Sequence, residues 1–193
     1  MNRRELKTLA RESLKDNWGI AIGAMLLYML VTYILGATGI GSFFLGFIVA
    51  GYYAVNLNLI RTKTAKIEDL FSGCKNFVTN FVAYLLMQVF IALWSLLFLI
   101  PGIVKSYSYA MTMYILNDHP EMSASEAITE SRKMMNGHKA ELFVLHLSFL
   151  GWIILSSFTF GILLLYVMPY MQATTAAFYE KLKEMPVIED SVE

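Results

Sequence analysis

The chain has 193 residues, of which 57% are hydrophobic and 16% charged, and its mean hydropathy is +0.55. Soluble domains carry about 25% charged residues, so this balance excludes an ordinary water-soluble domain and points to lipid as the solvent. Fifteen Lys and Arg offset fifteen Asp and Glu, a balance that argues neither for nor against a nucleic-acid partner, and the single Cys74 excludes an internal disulfide framework.

In chain order, a basic amphipathic segment comes first. Leu6, Leu9, Ala10, Leu14 and Trp18 fall on one helical face, with Arg3, Arg4, Lys7, Arg11 and Lys15 among them. An apolar run, Trp18–Leu35, follows and reads as a retained signal-anchor helix. The uncharged turn Gly36-Ala37-Thr38-Gly39 leads to a second run, Ile40–Ile60. A short segment with Ile67, Leu70 and Phe71 precedes the run Phe77–Leu99. A break at Ile100-Pro101-Gly102 opens the run Pro101–Leu116. Ser123 and Glu126 then form a capping box for a third amphipathic segment, with Ala124, Ala127, Ile128, Met134 and Met135 on its apolar face and Gly137 as its stop. The runs Glu141–Ser157 and Phe160–Phe178 complete the array, and an acidic, disordered tail is expected over 184–193.

Crossing the hydrocarbon core takes about twenty apolar residues per helix, and backbone groups in lipid must be satisfied internally. The expected fold class is therefore all-α. It is a polytopic membrane protein of six transmembrane helices, arranged as three hairpins, each preceded by an amphipathic cytoplasmic segment. Fourteen of the fifteen Lys and Arg residues fall on one side of this even-numbered array. The positive-inside rule makes that side cytoplasmic, with both termini there. The charged segments are too polar to span. They are expected along the cytoplasmic interface, apolar face toward acyl chains or helix ends.

The plan reads as a single membrane domain over 1–183, triplicated at 1–61, 62–117 and 118–183. The stretches starting at Gly51-Tyr52-Tyr53, Tyr107-Ser108-Tyr109 and Met168-Pro169-Tyr170 align without gaps. The alternative is that lipid imposes a similar composition on unrelated hairpins.

Two central motifs are distinctive. One is Ile100-Pro-Gly-Ile-Val-Lys-Ser-Tyr-Ser-Tyr-Ala-Met with Asn117-Asp-His-Pro. The other is Ser131-Arg-Lys-Met-Met-Asn-Gly-His-Lys-Ala-Glu-Leu-Phe, followed by Phe149-Leu-Gly-Trp, Pro169-Tyr and Ala176-Ala-Phe-Tyr. Together with Arg11-Glu-Ser-Leu-Lys-Asp-Asn-Trp, they resemble the bacterial integral membrane family called domain of unknown function 975, found in Firmicutes. The resemblance covers nearly the whole chain. It implies a six-helix protein of a Gram-positive cell membrane and no particular activity. More loosely, the plan is similar to the membrane module attached to some glycerophosphodiester phosphodiesterases, without their catalytic domain.

Lys105 is the basic residue inside a span, about 6 Å of helix rise past Pro101. Its stem can snorkel outward, or its charge can hold an anionic headgroup or solute. Lys105, Ser108, Tyr109 and Thr112 share a helical face, and with Asn56 and Gln172 they form a candidate polar membrane site. The alternative reading of these groups is hydrogen bonding between helices. His138 and Glu141, at i and i+3, are a candidate cytoplasmic interface pair, too few for a metal site. His146 is expected to bond a neighbouring helix. The glycine pair Gly19 and Gly23, and Gly41, Gly46 and Gly51 along the second run, are expected to let helices pack closely.

No nucleophile elbow, zinc motif, phosphate loop or dinucleotide fingerprint occurs. The expectation is a non-enzymatic protein without cofactor that organises or senses the bilayer, or is accessory to a membrane complex. Its expected partners are anionic lipid headgroups at the cytoplasmic face and a membrane protein, with no nucleic acid. The competing reading is a small-solute or lipid transporter or channel, with a polar cavity from helices two, four and six.

Overall fold

Asn2 opens the first helix by accepting the Arg4 N–H at 3.1 Å, one of the donors a helix start leaves unpaired. This helix, α1 (Arg3–Leu14), buries Leu6, Ala10 and Leu14 of the face its spacing predicts and leaves Leu9 exposed. The computed structural model describes residues 2–38, 41, 45–97 and 99–185, and every regular element among them is helical. Gly39 and Ile40, in the first turn and at the head of the second apolar run, lie outside the described residues, as does 186–193 of the acidic tail.

The remaining elements are α2 (Trp18–Ala37), α3 (Gly46–Thr62), a 3-10 segment (Ile67–Cys74), α4 (Phe77–Leu97), α5 (Leu99–Ser108), α6 (Thr112–Asp118), α7 (Ala124–Met134), α8 (Lys139–Leu147), α9 (Leu150–Ser156) and α10 (Leu164–Lys183). The capping box of α7 is present: Glu126 Oε2 accepts the Ser123 N–H at 2.9 Å, and Ser123 Oγ accepts the Glu126 N–H at 3.4 Å. Gly137 ends that segment in the left-handed region, at φ 77°.

Three stretches are long and apolar enough to cross a membrane: Trp18–Ala37, Phe77–Leu96 and Lys139–Thr159. Only 17%, 11% and 22% of their apolar windows are buried within the chain, so most of their hydrophobic surface faces outward. Leu30, Tyr33, Ile34, Leu96, Ile100, Phe158 and Phe160 are among the large side chains left exposed. Helices α3, α6 and the C-terminal half of α10 are different. They bury Tyr52, Val55, Leu59, Tyr114, Ile115, Phe178 and Tyr179 and form the interior.

The amphipathic segments follow one packing rule. The 3-10 segment packs on α3, α7 packs on α4 and α6 alike, and α1 packs on α10. Each segment thus lies on the second helix of the hairpin before it, and α1 closes the circle on the last. Leu6, Ala10, Leu14, Leu70, Ala127 and Ile128 are covered by protein, while Leu9, Ile67 and Phe71 of the same apolar faces stay exposed.

Two runs expected as continuous helices are broken. The fourth divides into α5 and α6 at Tyr109-Ala110-Met111. Ser131 of α7 fills that gap: its Oγ accepts the Met111 N–H at 3.2 Å and donates to the Ser108 carbonyl at 2.9 Å. The fifth breaks between α8 and α9 at Ser148 and Phe149, and the Ser148 carbonyl accepts from Lys7 Nζ at 3.4 Å. In both places a distant side chain serves a backbone group released by the break.

Close approach of backbones occurs at Gly46, Gly51 and Gly73. A Cβ at Gly51 would collide with the Leu70 carbonyl, and one at Gly73 with the Phe47 carbonyl. The Gly19 and Gly23 pair is different, since a Cβ at Gly19 would meet nothing within 4 Å.

Candidate functional site

The last turns of α3, α6 and α10 converge on a cluster of charges. Arg61 Nη2 donates to Asp118 Oδ2 at 2.6 Å, and Arg61 Nε donates to Glu180 Oε1 at 2.8 Å. Lys183 Nζ reaches Asp118 Oδ2 and Glu180 Oε2, both at 3.1 Å. Tyr179 Oη donates to the same Asp118 oxygen at 2.9 Å. Two carboxylates and two cations are thereby matched, and one Asp118 oxygen accepts from three donors.

The electrostatics follow from these contacts. Burial alone would raise the Asp118 carboxyl, but hydrogen bonds from Arg61, Lys183 and Tyr179 outweigh it and hold the group below its ordinary value. Hydrogen bonding to Asp118 raises the Arg61 guanidinium further, and burial with the adjacent Asp118 charge keeps the Tyr179 phenol neutral. A carboxylate saturated in this way is not available as a general base. The cluster ties three helix ends together.

Aromatic rings link the same helices. Tyr53 of α3 lies 4.4 Å from Tyr114 of α6, and Tyr114 stacks at 5.1 Å on Tyr179 of α10. Tyr28 of α2 stacks on Tyr52 at 4.7 Å. Beside the cluster a cavity of about 280 Å³ is lined by His119, Glu130, Met134, His138, Tyr179 and Lys183, among others.

The candidate polar membrane residues are not brought together. Lys105 Nζ sits 4.7 Å over the Trp94 ring. Ser108 is buried and donates to Val104 of its own helix at 3.0 Å. Tyr109 packs 6.1 Å from Phe90. Thr112 is buried at the start of α6, and its hydroxyl has no partner among the described residues. Asn56 donates to Tyr52 one turn back at 2.7 Å, and Gln172 is half-buried on α10. Among the described residues no hydrogen bond links Lys105, Asn56, Thr112 and Gln172 to one another.

The His138–Glu141 pair forms at 3.2 Å, and His138 also borders the cavity beside the charge cluster. Among the described residues no group of three His, Cys, Asp or Glu side chains has metal-site spacing. His146 joins three helices: Nε2 is 3.0 Å from Thr175 Oγ1, and Nδ1 is 3.3 Å from Tyr107 Oη. Thr175 spends its proton on the Met171 carbonyl at 2.9 Å, so Nε2 must carry the hydrogen and Nδ1 accepts from Tyr107.

Sequence reasoning counted Arg61 as a flanking charge and passed over Asp118 and Glu180. The signal was present in the aligned hairpins. Offsetting Asp118 by 56 and Glu180 by 117, as the tyrosine motifs require, puts them at 62 and 63, directly after Arg61.

No curated protein and no solved structure matches the chain. The family described as "Protein of unknown function (DUF975)" matches it twice, over residues 1–108 and again over 99–186, so the sequence carries an internal repeat. Those two matches together take in nearly the whole of this helical chain, which belongs to that family.

Proposed function

We propose that the chain is a six-span protein of a bacterial cell membrane, with both termini and every charged connector in the cytoplasm. In this reading it is built from three copies of one unit. It is non-enzymatic, organising the bilayer or serving as accessory to a membrane complex. One observation carries the reading: apolar surface faces outward on α2, α4, α8 and α9, while the polar groups of the inner helices are closed in by packing. The cyclic packing of amphipathic segments on preceding hairpins, α1 on α10 included, supports the threefold plan.

A transporter needs a polar path along the inner helices. Asn56 is 2% exposed and Thr112 is 0% exposed, and both lie in protein interior. That argues for the organising role. Reconstitution into vesicles loaded with ions, sugars or amino acids tests it. The expected result is leakage equal to protein-free vesicles. Saturable flux that disappears in a Lys105→Met variant would return the protein to the transporters.

A further inference from the structure

We propose that α1, α9 and the first half of α10 form a binding site for one anionic phospholipid, resting on the membrane reading above. Arg4, Lys7 and Arg11 follow each other at i, i+3 and i+7 and so make a cationic stripe on α1, with Arg3 beside it. A cavity of about 390 Å³ is lined by Asn2, Arg3, Arg4, Lys7 and Ser148. It shares Lys7 with a groove of about 260 Å³, whose walls include Trp18, Phe149, Trp152, Leu163, Tyr166 and Tyr170. Cations at one end and an aromatic, apolar channel leading away match a phosphate headgroup joined to an acyl chain.

Among the described residues the cations lack counter-ions. Among the described residues no carboxylate forms an ion pair with Arg3, Arg4, Lys7 or Arg11. Glu5 is turned to Lys181 at 3.1 Å, while Glu141 lines a neighbouring cavity with Arg3 and contacts His138. Lys7 is instead held by the Ser148 carbonyl and lies 4.1 Å over the Phe149 ring, and Arg11 lies 5.8 Å over Tyr170. Burial first, then Arg3 and Arg11, push the Lys7 ammonium below its ordinary value, and an anion would relieve the repulsion from the two arginines. The position sharpens the need. Ser148 is seven residues past Glu141, where the fifth apolar run begins, roughly 10 Å of helix rise. Cations without a carboxylate partner at the membrane interface attract anionic headgroups. A headgroup drawn in beside α1 neutralises them, and its chain continues along Trp152 and Leu163.

The test uses the full-length protein with Trp94→Phe, so that Trp18 and Trp152 report the groove. Phospholipids brominated on the acyl chain are titrated in, as phosphatidylglycerol or phosphatidylcholine. Phosphatidylglycerol is expected to quench at a several-fold lower lipid fraction, and excess inorganic phosphate should not reverse it. Lys7→Gln with Arg11→Gln should reduce the preference by about fivefold per charge removed. Because Lys7 also holds the α8–α9 break, Arg3→Gln with Arg4→Gln serves as a second variant that leaves that contact intact. Equal quenching by both lipids, a preference unchanged in both variants, or displacement by inorganic phosphate would each overturn the site. Absence of quenching by either lipid, in a protein monodisperse in buffer without detergent, would overturn the membrane reading itself.

Discussion

The Arg61 guanidinium lies 2.6 Å from the Asp118 carboxylate, joining the end of α3 to the end of α6 across a sequence separation of 57 residues. The Arg61 side chain is 33% exposed and Asp118 only 12%, so solvent screens the arginine more than its partner. Asp118→Asn should therefore cost more than Arg61→Ala. It leaves two cations facing each other without the shared acceptor, a loss of about 1–3 kcal/mol. Thermal melts in detergent read it. Acid should act the same way: the Asp118 carboxyl is held low in the fold, so its contribution is present above the ordinary carboxylate value and fades as pH falls through the lower, folded-state value. The wild type should lose this increment on acidification, and Asp118→Asn should have none to lose.

Ser131→Ala tests the joint in the fourth run. Removing the hydroxyl strands the Met111 N–H and the Ser108 carbonyl in the interior, at a cost of about 1–3 kcal/mol. Hydrogen exchange at Met111 should rise together with the fall in melting temperature. An unchanged melt would mean that water or a shifted backbone already serves these groups.

The glycines make a paired prediction. Gly51→Ala drives a methyl group into the Leu70 carbonyl and should separate the 3-10 segment from α3, with loss of folded yield in detergent. Gly19→Ala meets nothing within 4 Å in a helix, and should be neutral or stabilising by about 0.5–1 kcal/mol. Size-exclusion profiles of the two variants compare them directly.

Lys105→Met removes a cation 4.7 Å over Trp94 at a part-exposed position, a contact worth about 0.5–1 kcal/mol. The proposed role predicts a melting temperature within a few degrees of wild type and no change in vesicle permeability. A large fall in stability would show that Lys105 has a partner beyond the indole ring.

Much of the local structure was legible because it depends on neighbours in sequence. Trp18 and Phe77 begin helices where the apolar runs begin, and the Ser123–Glu126 box caps α7. What could not be read depends on residues far along the chain. The α5–α6 break needs Ser131, and the α8–α9 break is served by Lys7, from the other end of the protein. The candidate polar residues lie apart for a related reason. Residues on one helical face share a direction, yet Lys105 turns to Trp94 while Ser108 bonds its own helix, so a common face did not make a common site. His146 was expected to bond a neighbouring helix and does so twice, because a buried imidazole has two nitrogens to satisfy. Of the glycines expected to let helices approach, Gly46 and Gly51 do so and Gly19 does not, and Gly73 joins them from the 3-10 segment.

The most direct measurement uses Cys74, which is exposed and lies in a connector proposed to be cytoplasmic. A membrane-impermeant maleimide applied to intact cells should leave Cys74 unlabelled until the membrane is permeabilised. In a Cys74→Ser background, Phe158→Cys, at an exposed hairpin tip, should label at once. Labelling of Cys74 in intact cells, or protection of Phe158→Cys until permeabilisation, would contradict a protein whose charged ends all stay on the inner side.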